Sequence, residues 1–161
     1  MILVDTNVLL DLVTDDPDRA EWSLARLEEA ALAGPILIND IVYAETSIRY
    51  DRIEDLDVML AQAMIEIAAT PRSALFLAGK AFQRYRTAGG TRTGVLPDFL
   101  IGAHAAVEGW PLLTRDAGHY RSYFPKVTLI VPPSLNRDVR RHGLMPPRGR
   151  HIVAPSLRGP V

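Results

Sequence analysis

Four carboxylates, Asp5, Glu45, Asp98 and Asp116, stand where the surrounding sequence reads as the end of a strand or the first turns of a helix. Residues so placed can converge from distant parts of a chain on one acidic pocket. Asp5 is the most telling: the apolar run Met1-Ile2-Leu3-Val4 stops at Asp5-Thr6-Asn7 and is followed by the helix-like Val8-Leu9-Leu10. A charge at that junction lies at the carboxyl edge of a buried strand, where open α/β sheets place ligands. Carboxylates gathered together repel and hold protons more tightly unless cations neutralise them. Hard oxygen donors of this kind suit Mg²⁺ or Mn²⁺. Such an ion lowers the pKa of a bound water and stabilises charge on a leaving oxygen, the needs of phosphodiester hydrolysis. Thr6, Asn7 and Thr114 are neutral neighbours suited to hydrogen-bonding a carboxylate or a metal-bound water.

The segments that must position these acids alternate. Ile2 to Val4, Ile36 to Ile38, Leu112-Leu113 and Val127 to Val131 read as strands, with helical patterns between them. That alternation predicts an α/β fold with a parallel sheet and crossover helices. Pro17 among Asp15, Asp16 and Asp18 marks a helix start, and Gly34-Pro35 its end. Asp40 is placed to cap the next helix, which carries Val42, Glu45 and Arg49 at spacings of three and four. Residues 71 to 88 form an amphipathic helix with Ala74, Ala78, Ala81 and Tyr85 on one face. Met64 to Ala68 fits either a helix end or a short strand. A glycine-rich loop, 88 to 94, leads to Pro97 at a first helical position and Asp98 in the first turn, where the helix dipole favours the ionised carboxylate. Residues 99 to 107 are almost all apolar, which predicts a central buried helix.

Composition fits one globular domain: 161 residues, 48% hydrophobic and 23% charged. No apolar run is long enough to span a membrane, and Asp5 interrupts any signal-peptide pattern. The absence of cysteine excludes disulfides, thiolate chemistry and Cys-ligated zinc. A cytoplasmic protein is the simplest expectation. Net charge is -1, but residues 1 to 136 hold 18 acids against 12 Lys and Arg, while residues 137 to 161 hold six Arg and one Asp. An acidic body suits a site that meets phosphate through divalent cations. From Pro132 onward the chain is rich in Pro, Gly and Arg, so residues 132–161 are read as a tail outside the core.

The chain resembles the PIN-domain ribonucleases, and within them the VapC-type toxins of toxin–antitoxin pairs. The matching pieces are Ile2-Leu3-Val4-Asp5-Thr6-Asn7, the Ala44-Glu45 helix, Pro97-Asp98-Phe99-Leu100-Ile101-Gly102-Ala103, and Leu112-Leu113-Thr114-Arg115-Asp116 with Tyr120 and Phe124 following. Each is weak alone; the ordered set, over residues 1–131, is specific. The resemblance implies a three-layer α/β/α sandwich on a central parallel sheet, Mg²⁺ or Mn²⁺ dependence, endonucleolytic cleavage of RNA (tRNA or rRNA), homodimerisation, and inhibition by a small cognate antitoxin. It also implies that Asp5, Glu45 and Asp98 are core metal ligands and Asp116 a fourth acid. Asp116 has three roles open to it: ligand of a second ion, action through water, or shaping of the field.

Lesser candidates have plainer readings beside them. His104, on the apolar helix, reads as a packed histidine before a base, and His119 shows no ligand spacing. Arg86, Arg92 and Arg115 are candidate RNA-phosphate contacts, Arg115 the best placed because it follows Thr114. Trp22, Trp110, Tyr43 and Tyr50 read as packing residues. Leu56, Met59, Leu60 and Met64 are apolar beyond one core's needs and predict a twofold interface. Two rivals remain. A haloacid-dehalogenase-like phosphatase also opens with a strand ending in Asp, but it wants a second Asp where this chain has Asn7, and a catalytic lysine in suitable context. The other is a PIN-like fold retained as a non-catalytic binding module.

Overall fold

In a computed structural model, which describes residues 1–14 and 19–133, five strands form one parallel sheet. They are β1 (Ile2–Val4), β2 (Ile36–Asn39), β3 (Ile65–Ala68), β4 (Leu112–Leu113) and β5 (Leu129–Ile130), in the order β3-β2-β1-β4-β5. The central strands are apolar at nearly every position and buried throughout, as a sheet covered on both faces requires. Seven helices connect them: α1 (Thr6–Val13) and α2 (Ala20–Ala33) before β2, α3 (Asp40–Ser47) and α4 (Ile53–Gln62) before β3, α5 (Arg72–Thr87) and α6 (Pro97–Glu108) before β4, and α7 (Gly118–Tyr123) before β5. Strand order runs outward from β1 in one direction through β2 to β3, and in the other through β4 to β5. Right-handed crossovers therefore lay α1 to α4 on one face and α5 to α7 on the other. The packing of α1 on α3, and of α6 on both α5 and α7, agrees with this. The expected three-layer α/β/α architecture is present. Its direction reverses between β1 and β4, which makes the crevice beyond their carboxyl ends the natural place for a ligand.

Local signals explain most boundaries. Pro97 occupies the first position of α6, and Gly109 ends it in the left-handed conformation at φ 67°. The stripe Ala74, Ala78 and Ala81 is fully buried and lets α5 pack closely on α6. Three expectations are corrected, and one alternative is resolved. Asn39, not Asp40, caps α3, its Oδ1 accepting from Ile41 and Val42 N–H. Asp40 instead accepts the Thr70 N–H at 2.7 Å, and that bond holds its carboxyl below its ordinary range. The segment left open at 64 to 68 is strand β3, entered through Met64 at φ 53°. The last strand spans two residues instead of Val127 to Val131. Leu56 and Leu60 belong to the protomer's own core, Met59 packs against it, and only Met64 is exposed, so those four residues do not form a shared apolar face. Ile53 and Val58 on α4 are exposed beside them in sequence. The expected helix start at Asp15 to Asp18 and the basic tail lie outside the described residues. Among the described residues no helix is long and apolar enough to cross a membrane.

Candidate active site

Asp5 follows β1 directly, its N–H still in the sheet ladder on Leu113 O, and its carboxylate is 4% exposed. A single oxygen, Oδ2, accepts three hydrogen bonds: from Asn7 Nδ2 at 2.7 Å, Thr114 Oγ1 at 2.6 Å and Tyr120 Oη at 3.1 Å. Thr114 follows β4, so the two strands flanking the reversal point supply the acid and its principal donor. These bonds favour the ionised form, yet burial, with a smaller push from the Asp98 charge, raises the Asp5 carboxyl from 3.8 to about 6. Tyr120 is buried, and burial followed by the charges of Asp5, Asp98 and Glu45 drives its hydroxyl well above the ordinary range. It stays protonated and serves as a donor. The charges of Asp5, Asp98 and Glu45 thus all reach the Tyr120 hydroxyl, which itself hydrogen-bonds Asp5.

The other acids are held from different elements. Glu45, on α3, receives Thr6 Oγ1 at Oε2, 2.6 Å away. Asp98, in the first turn of α6, pairs through Oδ2 with His119 Nδ1 at 2.9 Å. Asp116 is exposed, and its Oδ1 accepts the Gly118 N–H at 2.9 Å, the geometry of a turn residue at the start of α7. Asp5, Glu45 and Asp98 are thus each held by side-chain partners from other parts of the chain, and Asp116 has a local backbone partner. Among the described residues no three His, Asp or Glu side chains stand close enough to grip an ion as placed. The donor set nevertheless fits a hard divalent cation. Its oxygens are carboxylate, one of them is desolvated beside a like charge, and a cation there would replace the proton that Asp5 otherwise retains up to about pH 6.

Thr6, Asn7 and Thr114, expected as supporting groups, each bond one of the acids, and Asn7 also takes the Arg115 N–H at Oδ1. Asn7 stands where a phosphatase of the rival class needs a second carboxylate, and it is committed to holding Asp5. Arg115 sits beside the site, with Nε 2.6 Å from Asp11 Oδ2. Arg86 donates to the carbonyls of Gly90 and Arg92, pinning the glycine loop, and Arg92 is exposed on that loop. The loop packs on the Tyr85 ring so closely that a Cβ at Gly90 would lie 2.2 Å from it. His104 is a packed histidine, its ring 5.3 Å from that of Trp110, and burial lowers its pKa. Trp22, Trp110, Tyr43 and Tyr50 pack against the core, as expected.

Three contributors were not anticipated. The Tyr120 hydroxyl and the His119 pairing both depend on a six-residue helix too short to show periodicity. Asp11 was legible, since it lies four residues after Asn7 and so on the same face of α1.

The family model of the PIN domain matches residues 2–125. The chain belongs to the PIN domain family. No curated protein matches the sequence. Several solved structures share the PIN fold. VapBC2 from Rickettsia felis, bound to a DNA fragment from its promoter, aligns with a TM-score of 0.63 at 23% identity over 83% of this chain and 100% of that one. FitAcB from Neisseria gonorrhoeae gives 0.58 at 21%, over 80% and 96%. A toxin–antitoxin complex from Klebsiella pneumoniae gives 0.54 at 21%, over 80% and 96%. At these identities the likeness is one of fold.

Proposed function

We propose that this PIN domain protein is a Mg²⁺- or Mn²⁺-dependent endoribonuclease, the toxin of a type II toxin–antitoxin pair. The observation that carries the reading is Asp5, desolvated at the β1/β4 reversal point and held there by Asn7, Thr114 and Tyr120. Asp5, Glu45 and Asp98 would hold the cation, which supplies an activated water and charge neutralisation at phosphorus. Thr114, Asn7 and Tyr120 fix the Asp5 oxygen, and Thr6 fixes Glu45, so the acids need little reorganisation when substrate arrives. His119 orients Asp98. Asp116, exposed at the rim, acts through water or on a second ion. Arg115, Arg92 and Arg86 line the approach for RNA phosphate, Arg86 chiefly by shaping the loop.

Residues 1–131 form the nuclease domain and residues 132–161 a basic tail. The structural relatives described as toxin–antitoxin complexes support a small antitoxin as partner. The protein works as a cytoplasmic homodimer on tRNA or rRNA. Incubating the purified chain with total RNA in Mg²⁺, Mn²⁺ or EDTA tests the reading. Cleavage is expected only with metal, and Asp5→Asn and Asp98→Asn should each lose it, because an amide keeps the shape without offsetting the cation's charge. Undiminished cleavage by both variants would remove the assignment.

A further inference from the structure

Asp11 is a buried carboxylate that the proposed chemistry leaves unused. It is 2% exposed, and its Oδ2 accepts from Ser23 Oγ of α2 at 2.6 Å and from Arg115 Nε at 2.6 Å. Arg115 is fixed at its other end as well, its N–H on Asn7 Oδ1 at 3.0 Å. Nε is the inner donor of a guanidinium. With it given to Asp11 and, at 3.4 Å, to the Asn7 carbonyl, the two Nη groups make no hydrogen bond or ion pair among the described residues, while the side chain stays 23% exposed.

Burying a carboxylate to fix one arginine contributes little stability over an apolar pair of similar volume. It does set direction. Arg115 lies between Thr114, which supports Asp5, and Asp116, and a guanidinium free to move there would pair with those acids and compete with a cation. Asp11 engages its inner nitrogen instead and leaves the outer nitrogens unspent. Such a fork matches the paired oxygens of a phosphodiester. We propose that Arg115 binds a backbone phosphate of the RNA strand beside the acidic site, and that Asp11 and Ser23 are positioning residues for its guanidinium. This rests on the ribonuclease reading.

The test is binding of a labelled single-stranded RNA to the full chain in EDTA, followed by fluorescence anisotropy over a salt series, so that it does not depend on cleavage. Arg115→Met should weaken binding about tenfold, as loss of a charged hydrogen bond does, and reduce the salt slope by about 0.7, one single-strand phosphate contact. Asp11→Asn is the discriminating variant. It removes a negative charge, so a role through charge alone predicts tighter binding, whereas positioning predicts weaker binding and the same loss of slope. Adding Asp11→Asn to Arg115→Met should change nothing further. Ser23→Ala, which leaves the ion pair in place, should weaken binding in the same direction by less, and it carries the test if thermal melts show Asp11→Asn unfolded. Unchanged affinity and slope in Arg115→Met, tighter binding by folded Asp11→Asn, or no RNA binding by the unmodified chain each overturns the proposal. Arg115-dependent binding without metal-dependent cleavage would instead remove the nuclease reading and leave the phosphate site standing.

Discussion

Burial among three donors leaves Asp5 ionising near pH 6, above its ordinary 3.8, so the donors do not compensate for lost water and the neighbouring Asp98 charge. The folded protein binds this proton more tightly than the unfolded chain does. Stability from this group is therefore present below pH 3.8, declines as pH rises towards 6, and stays reduced above it. The full difference is roughly 3 kcal/mol at neutral pH. Asp5→Asn keeps an acceptor for Thr114 and Tyr120 without the charge. It is expected to raise the melting temperature at pH 7.5, to give no gain at pH 3.5, and to abolish cleavage at both. A variant less stable than the parent at pH 7.5 would show that Asp5 is not strained by its own ionisation. The same balance predicts that cleavage falls as pH drops below about 6, where a proton competes with the cation.

At the scale of elements, the site depends on how closely α7 meets α6. A Cβ at Gly102 would lie 2.5 Å from the Phe124 ring and 2.9 Å from that of Tyr120. Gly102→Ala must therefore displace the short helix that brings the Tyr120 hydroxyl to Asp5. Overpacking of this kind costs about 1–3 kcal/mol, and loss of cleavage is expected alongside a lower melting temperature. Gly79→Ala on α5 is the control: its Cβ meets nothing within 4 Å, and it should stabilise by roughly 0.5–1 kcal/mol. Equal effects of the two variants on activity would detach Tyr120 from the chemistry. The elements that place Asp5 and Asp98 were legible because their signals were abrupt, an apolar run ending in an acid and a proline opening a helix. The cap of α3 was not, since Asn39 and Asp40 are both good capping types and only the backbone decides between them. β3 was ambiguous because an edge strand exposed at Glu66 and Ile67 lacks the unbroken apolar pattern of β1 and β2. The placement of Asp5 just after a strand and of Asp98 in a first helical turn followed from those signals. The bond of Tyr120 to Asp5 and the bond of Asp116 to the Gly118 N–H depend on a local turn that spacing does not encode.

Over the whole molecule, charge is divided between an acidic body and a basic end, -6 for residues 1 to 136 and +5 for residues 137 to 161. The described chain shows where the last strand ends. β5 finishes at Ile130, whose carbonyl accepts the Thr114 N–H at 3.0 Å, so the chain leaves the sheet at the edge where Thr114 holds Asp5. Six arginines follow in the sequence, tethered to the body by a short connection. A body of charge -6 repels RNA except through bound cations, so the tail is expected to supply much of the general attraction. Deleting residues 137 to 161 should weaken RNA binding and flatten its dependence on salt, because fewer counterions are released. The cleavage rate at saturating RNA should be unaffected, since the acids and their donors all lie in the body. Faster cleavage by the shortened chain would point the other way, to a tail that occupies the acidic site and restrains it, and the addition of excess Mg²⁺ should then narrow the difference by competing for the same carboxylates.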